Sequence, residues 1–66
     1  VIARLERWLL KAPGLRTATI VATEHTVPRQ VVVRLEERGG TGGAEVKAVS
    51  AETALARALD IAEGVS

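Results

Sequence analysis

Gln30-Val31-Val32-Val33-Arg34-Leu35-Glu36-Glu37-Arg38 decides the fold. Successive side chains of a strand point to opposite faces, so Val31, Val33 and Leu35 share one side while Gln30, Val32, Arg34 and Glu36 share the other. That alternation predicts a strand with one apolar face.

The residues that follow return the chain beside this strand. Gly39-Gly40-Thr41-Gly42-Gly43 is a hairpin hinge, because glycine reaches the positive φ values that tight connections use. Ala44 to Val49 then reads as a third strand, with Ala44, Val46 and Ala48 alternating against Glu45 and Lys47. Ser50 suits a helix N-cap, and Glu52 falls in the first turn, where the helix dipole favours a carboxylate. From there Ala51, Leu55, Ala58, Leu59 and Ala62 form the expected buried stripe of a helix that Gly64 closes.

Upstream, Val27-Pro28 breaks the ladder, since proline has no backbone donor. Thr17 to Thr26 is rich in β-branched residues and predicts another strand, with Ile20 and Ala22 on one face and Thr19, Val21 and Thr23 on the other. Val1 to Ala12 predicts an amphipathic helix: Ile2, Leu5, Leu9 and Trp8 on one side, Arg4, Arg7 and Lys11 at i, i+3 and i+7 on another. Pro13-Gly14 ends it, because proline disfavours the α conformation in Ala12 and glycine supplies the exit.

Helix, three strands, helix is therefore the predicted order. Short connections make the strands an antiparallel meander, and two amphipathic helices cover one of its faces. The expected fold is α+β: a single two-layer αβββα domain over residues 1–66, with a three-stranded antiparallel meander and both helices on one face. Leu55 and Leu59 are expected to be buried against the sheet with Leu5 and Leu9. The other sheet face is left for water, a partner or another copy.

Composition limits how firmly such a domain holds together. A chain of 66 residues buries only about 60% of the surface its unfolded form exposes. Trp8 is the sole aromatic, with no Phe, Tyr or Met, so burial falls to Val, Leu, Ile and Ala. At about 25 cal/mol per Å² of apolar surface, an Ala-lined helix contributes less than a Leu-lined one. Support from a partner, a second copy or further chain is expected. The absence of cysteine excludes a disulfide framework and a thiolate metal site, and a reducing cytoplasm fits best. No apolar run approaches the roughly 20 residues of a membrane span, and no leader pattern is present. The sequence starts at Val1 rather than an initiator Met, which fits a processed product or an excerpt of a longer chain.

Net charge is +1, but the mean hides a division. Residues 1–34 carry Arg4, Arg7, Lys11, Arg16, Arg29 and Arg34 against Glu6 and Glu24; residues 35–66 carry Arg38, Lys47 and Arg57 against Glu36, Glu37, Glu45, Glu52, Asp60 and Glu63. The first part is basic and the second acidic. Charge division of this kind marks either a nucleic-acid face or an ordinary solvated surface. Arg4, Arg7 and Lys11 on one rigid helical face meet the requirement for several long cations against phosphates, whereas stacking on splayed bases needs aromatics that the strands lack.

Catalytic chemistry finds no support. A phosphate-binding loop runs into a helix N-terminus with a following lysine and hydroxyl, but these glycines run into Ala44-Glu45-Val46, a strand. His25 is the only imidazole, and its neighbour Glu24 points to the opposite face, so it reads as an exposed strand-end residue. Ser50 reads as a cap rather than a nucleophile. Glu36 and Glu37 face opposite ways and form no proton-sharing pair. Nothing assembles acid, base and oxyanion donors, so the chain is expected to be no enzyme and to take no cofactor or metal.

Ala44-Glu45-Val46-Lys47-Ala48 leading into Ala54-Leu55-Ala56-Arg57-Ala58-Leu59-Asp60, together with the element order, resembles the ribosome hibernation-promoting factor family. The resemblance covers essentially the whole chain. It implies a meander whose third strand precedes an Ala-rich helix, and basic helix residues that meet ribosomal RNA. The family's opening strand has no counterpart in these residues, and its richly basic last helix is replaced by Arg57 among Glu52, Asp60 and Glu63. The order is also similar to the double-stranded-RNA-binding domain: Ser50, Ala54 and Ala58 match its apolar frame, while Ala51, Glu52 and Leu55 stand where its lysines grip phosphate. Ala12-Pro13-Gly14-Leu15, between helix and strand, resembles the ferredoxin-like modules of regulators and cation-diffusion transporters, which implies oligomerisation.

These features favour a small binding module for structured RNA, the ribosome first, through Arg4, Arg7 and Lys11. The alternative is a homo-oligomerising protein-interaction or regulatory module that uses its exposed sheet face.

Overall fold

The computed structural model describes residues 1–23, 29–40 and 43–64. The elements are α1 (Ile2–Leu10), β1 (Arg16–Thr23), β2 (Gln30–Glu37), β3 (Ala44–Ala48) and α2 (Ala51–Ala62). The strands form one antiparallel sheet in the order β1-β2-β3. This is the expected αβββα meander. The continuation of β1 to Thr26, and the roles read for Glu24 and His25, lie outside the described residues.

Register fixes which side chains share a face. Ala18, Ile20 and Ala22 stand opposite Leu35, Val33 and Val31, and those three stand opposite Ala44, Val46 and Ala48. Directly opposed residues point the same way, so this set forms one apolar face. The buried core joins Val33 and Leu35 to Trp8, Ala54, Leu55, Ala58 and Leu59, with Leu5 and Leu9 half-buried against it. Both helices therefore lie on the Val33 side. Thr17, Thr19, Val21, Val32, Arg34, Glu36, Glu45 and Lys47 occupy the other face.

Two parts of the expected core are displaced. Ile2 is 58% exposed because it begins α1, beyond the reach of the sheet, and Trp8 carries the burial of that helix instead. In α2 the stripe is Ala54, Leu55, Ala58 and Leu59, with Ala51 exposed. Ala51 is the first helical residue, where the axis still enters from Ser50, and the sheet meets the helix one turn later.

Local signals set the helix ends. Ser50 Oγ accepts from the Thr53 amide at 3.2 Å, which caps α2. Helix α1 stops at Leu10 rather than Ala12. Its final amides tighten, Ala12 N bonding to Leu9 O at 3.4 Å, ahead of Pro13, whose ring disfavours the α conformation in the residue before it. Gly14, at φ +77°, then turns the chain into β1.

Candidate nucleic-acid interface and sheet surface

Helical spacing does bring Arg4, Arg7 and Lys11 together. They line one shallow concavity of about 350 Å³, and Glu63 of α2 is the fourth residue of its wall. The carboxylate changes the chemistry of the site. Arg4 Nη2 lies 2.7 Å from Asp60 Oδ1 and 2.8 Å from Glu63 Oε2, and Arg4 Nε donates to the same Glu63 oxygen at 3.3 Å. Those bonds, Glu63 first and Asp60 second, raise the Arg4 guanidinium above its ordinary value. Arg4 is thus occupied within the fold. Arg7 and Lys11 are exposed and enter no ion pair among the described residues.

In the sequence Asp60 and Glu63 stand out only as acidic residues on a last helix that the resembled ribosome-binding family makes basic. The signal that could have exposed their role was the charge division itself, since a basic first helix and an acidic last one can satisfy each other when they pack side by side.

The open sheet face holds a second cluster. Arg34 Nη2 and Nε donate to Glu45 Oε2 at 2.6 and 2.9 Å across β2 and β3, and Arg34 Nη1 is 3.9 Å from Glu36 Oε1. The hydrogen bond to Arg34 holds the Glu45 carboxyl below its ordinary value. Beside this cluster Thr19, Val21, Val32 and Arg34 line a concavity of about 260 Å³. Val21 and Val32 are directly opposed, and Val21 is 52% exposed.

The helix side is also incompletely covered. Ile20 faces the same way as its partner Val33, yet Val33 is fully buried while Ile20 is 46% exposed. The cause is position: α2 packs on β2 and β3, which leaves the outer margin of β1 bare.

The remaining sequence candidates have local roles. Ser50 is the α2 cap, and its hydroxyl also donates to Thr53 Oγ1 at 2.9 Å. Glu37 pairs with Arg16 at 3.3 Å, away from Glu36 on the opposite face. Gly39 and Gly40 adopt φ +104° and +87°, and the Gly40 amide closes a turn on Glu37 O; Thr41 and Gly42 lie outside the described residues. Among the described residues no group of three or more His, Asp or Glu could hold a metal ion, and no helix is long and apolar enough to cross a membrane.

Compared with family models, curated proteins and solved structures, the chain matches none.

Proposed function

We propose that the domain is a non-catalytic protein-association module, cytoplasmic as its cysteine-free composition suggests, that binds another copy of itself through the part of the sheet its helices leave bare. One observation carries this: β1 exposes a large apolar side chain on each side, Ile20 at 46% and Val21 at 52%. A domain whose core holds a single aromatic among small aliphatics gains from covering both, because burial is the dominant favourable term in most association. Sedimentation equilibrium over a broad concentration range tests it. The average mass should rise above the 7.0 kDa of one chain towards twice that value, and a single-chain mass at every concentration would sink the proposal.

A second function is supported by Arg7 and Lys11, which line the α1 concavity and enter no ion pair among the described residues, and by the resemblance of element order to a ribosome-binding family. Here the module binds structured RNA, the ribosome first, by its phosphates. Replacing Arg7 and Lys11 by Ala should then weaken binding to duplex RNA and lower the slope of log affinity against log salt by roughly 0.7–0.9 per lost contact. Equal affinity of parent and variant at low salt would remove this function.

A further inference from the structure

On the footing of the self-association proposed above, we infer that two copies join edge to edge through β1, antiparallel about a two-fold axis at Ile20, to form one six-stranded sheet.

The two margins of the sheet differ in a way that selects β1. Exposed edges are ordinarily blunted by short length, charge, proline or a bulge, because a free row of N–H and C=O groups invites another strand. Strand β3 is guarded: it has five residues, Ala44–Ala48, and carries Glu45 and Lys47. Strand β1 has eight, Arg16–Thr23, and its only charge is at its first position, where Arg16 is drawn inward to Glu37 and the Trp8 carbonyl. Its register with β2 runs unbroken from Arg16 to Thr23, so no bulge interrupts it. Among the described residues, residues 17–22 make no backbone hydrogen bond across the outer margin.

The sequence of the strand identifies the occupant. Thr17-Ala18-Thr19-Ile20-Val21-Ala22-Thr23 reads nearly the same in both directions. Set antiparallel against itself about Ile20, it places Thr17 opposite Thr23, Ala18 opposite Ala22, Thr19 opposite Val21, and Ile20 opposite its own copy. Every pair matches in size, β-branched residues meet β-branched residues, and no like charges oppose one another, which is what cross-strand pairing rewards. An isologous contact must be self-complementary in just this sense. A strand of another protein has no reason to share that symmetry.

Face geometry agrees. Opposed residues in an antiparallel pair point to one side, so this register keeps the helices of both copies on one face and sets the two Ile20 side chains side by side over the bare margin of β1. Thr19 and Val21 of each copy meet on the other face, extending the apolar strip that Val21 and Val32 begin.

Cross-linking of single-cysteine variants tests the register, since the chain has no cysteine of its own. Opposed antiparallel residues have Cα atoms about 4.5–5.5 Å apart, within the range a disulfide spans. Ile20→Cys should give a covalent dimer under mild oxidation by oxidised glutathione, while Val32→Cys, one strand removed from the axis, should remain monomeric on a denaturing gel. Independently, Ile20→Lys should keep its circular dichroism spectrum and raise the dimer dissociation constant about tenfold or more, because an inward-pointing lysine guards an edge. Dimers that survive Ile20→Lys, or that cross-link through Val32→Cys and not through Ile20→Cys, would overturn edge pairing while leaving self-association standing. A parent chain that never exceeds single-chain mass would overturn both.

Discussion

Arg16 clamps Trp8 from the sheet side: its guanidinium carbon sits 4.8 Å from the centre of the indole ring, and its Nη1 donates to the Trp8 carbonyl at 2.8 Å. One side chain from the first residue of β1 thereby caps both the face of the only aromatic and an orphan carbonyl near the end of α1. Glu37, 3.3 Å from Arg16 Nε, holds the guanidinium in place. Helix α1 is fastened to the sheet by this clamp together with the burial of Trp8.

Removing either half should loosen the helix. Trp8→Ala is expected to cost about 3–5 kcal/mol, the usual range for deleting a buried aromatic, and in so small a domain it should abolish folding. Arg16→Ala should cost about 1–3 kcal/mol, from a charge-assisted hydrogen bond and a cation–π contact. Arg16→Lys should recover only part, since a compact ammonium cannot bond the carbonyl and lie over the ring at once. Urea denaturation followed by far-UV circular dichroism measures all three, and an unchanged midpoint in Arg16→Ala would show that the clamp contributes nothing.

The phase of α2 sets the next expectation. Leu55→Ala should destabilise by about 2–5 kcal/mol. Ala54 is fully buried, so Ala54→Leu should overpack the core at about 1–3 kcal/mol. Ala51→Leu should lie within about 0.5 kcal/mol of the parent, as exposed substitutions do. Thermal melts that ranked Ala51→Leu below Ala54→Leu would restore the stripe the sequence predicts and reject the observed one.

Much of this architecture could be read directly from residue order. Alternation in Val31, Val33 and Leu35 gave β2 and its buried face, and Ser50 gave the start of α2, because both signals are local: one side chain and its neighbours decide them. The errors arose where tertiary placement decides. Ile2 and Ala51 fit an apolar stripe by spacing, but whether the first residue of a helix reaches the sheet depends on how the chain enters that helix. Arg4 met every sequence criterion for a phosphate contact. Its partners Asp60 and Glu63 lie 56 and 59 positions away, and no spacing rule connects them.

Acid should weaken the open face in a defined direction. Arg34 holds the Glu45 carboxyl below its ordinary value of 4.5. A carboxyl depressed in the folded state adds stability at pH above its unfolded value and loses it as pH falls through the folded one. The parent should therefore lose more stability than Glu45→Gln on acidification from pH 4.5 downward, and the two should run parallel above that range. Identical acid profiles in urea titrations would discount the pair, which lies at the surface and is screened by salt.

Freeing Arg4 should strengthen any affinity for polyanions. Asp60→Asn with Glu63→Gln removes the two carboxylates on its guanidinium and leaves Arg4, Arg7 and Lys11 around one concavity. Duplex RNA should bind this double variant more tightly than the parent, with a steeper dependence on salt because more counterions are released. A filter-binding titration that shows no gain would mean the concavity does not receive phosphate even when its full charge is available.

The bonds from Arg4 to Asp60 and Glu63 also place the opening helix beside the final turn of the closing one. The path of the chain is consequently close to a ring, and the ring can be cut elsewhere. A short flexible linker joining residue 64 to residue 1, with the backbone opened in the glycine-rich connection between β2 and β3, would run β3-α2-α1-β1-β2 and keep every strand pairing and the α1–α2 seam. Sites of that kind, exposed and rich in small residues, are where circular permutation succeeds.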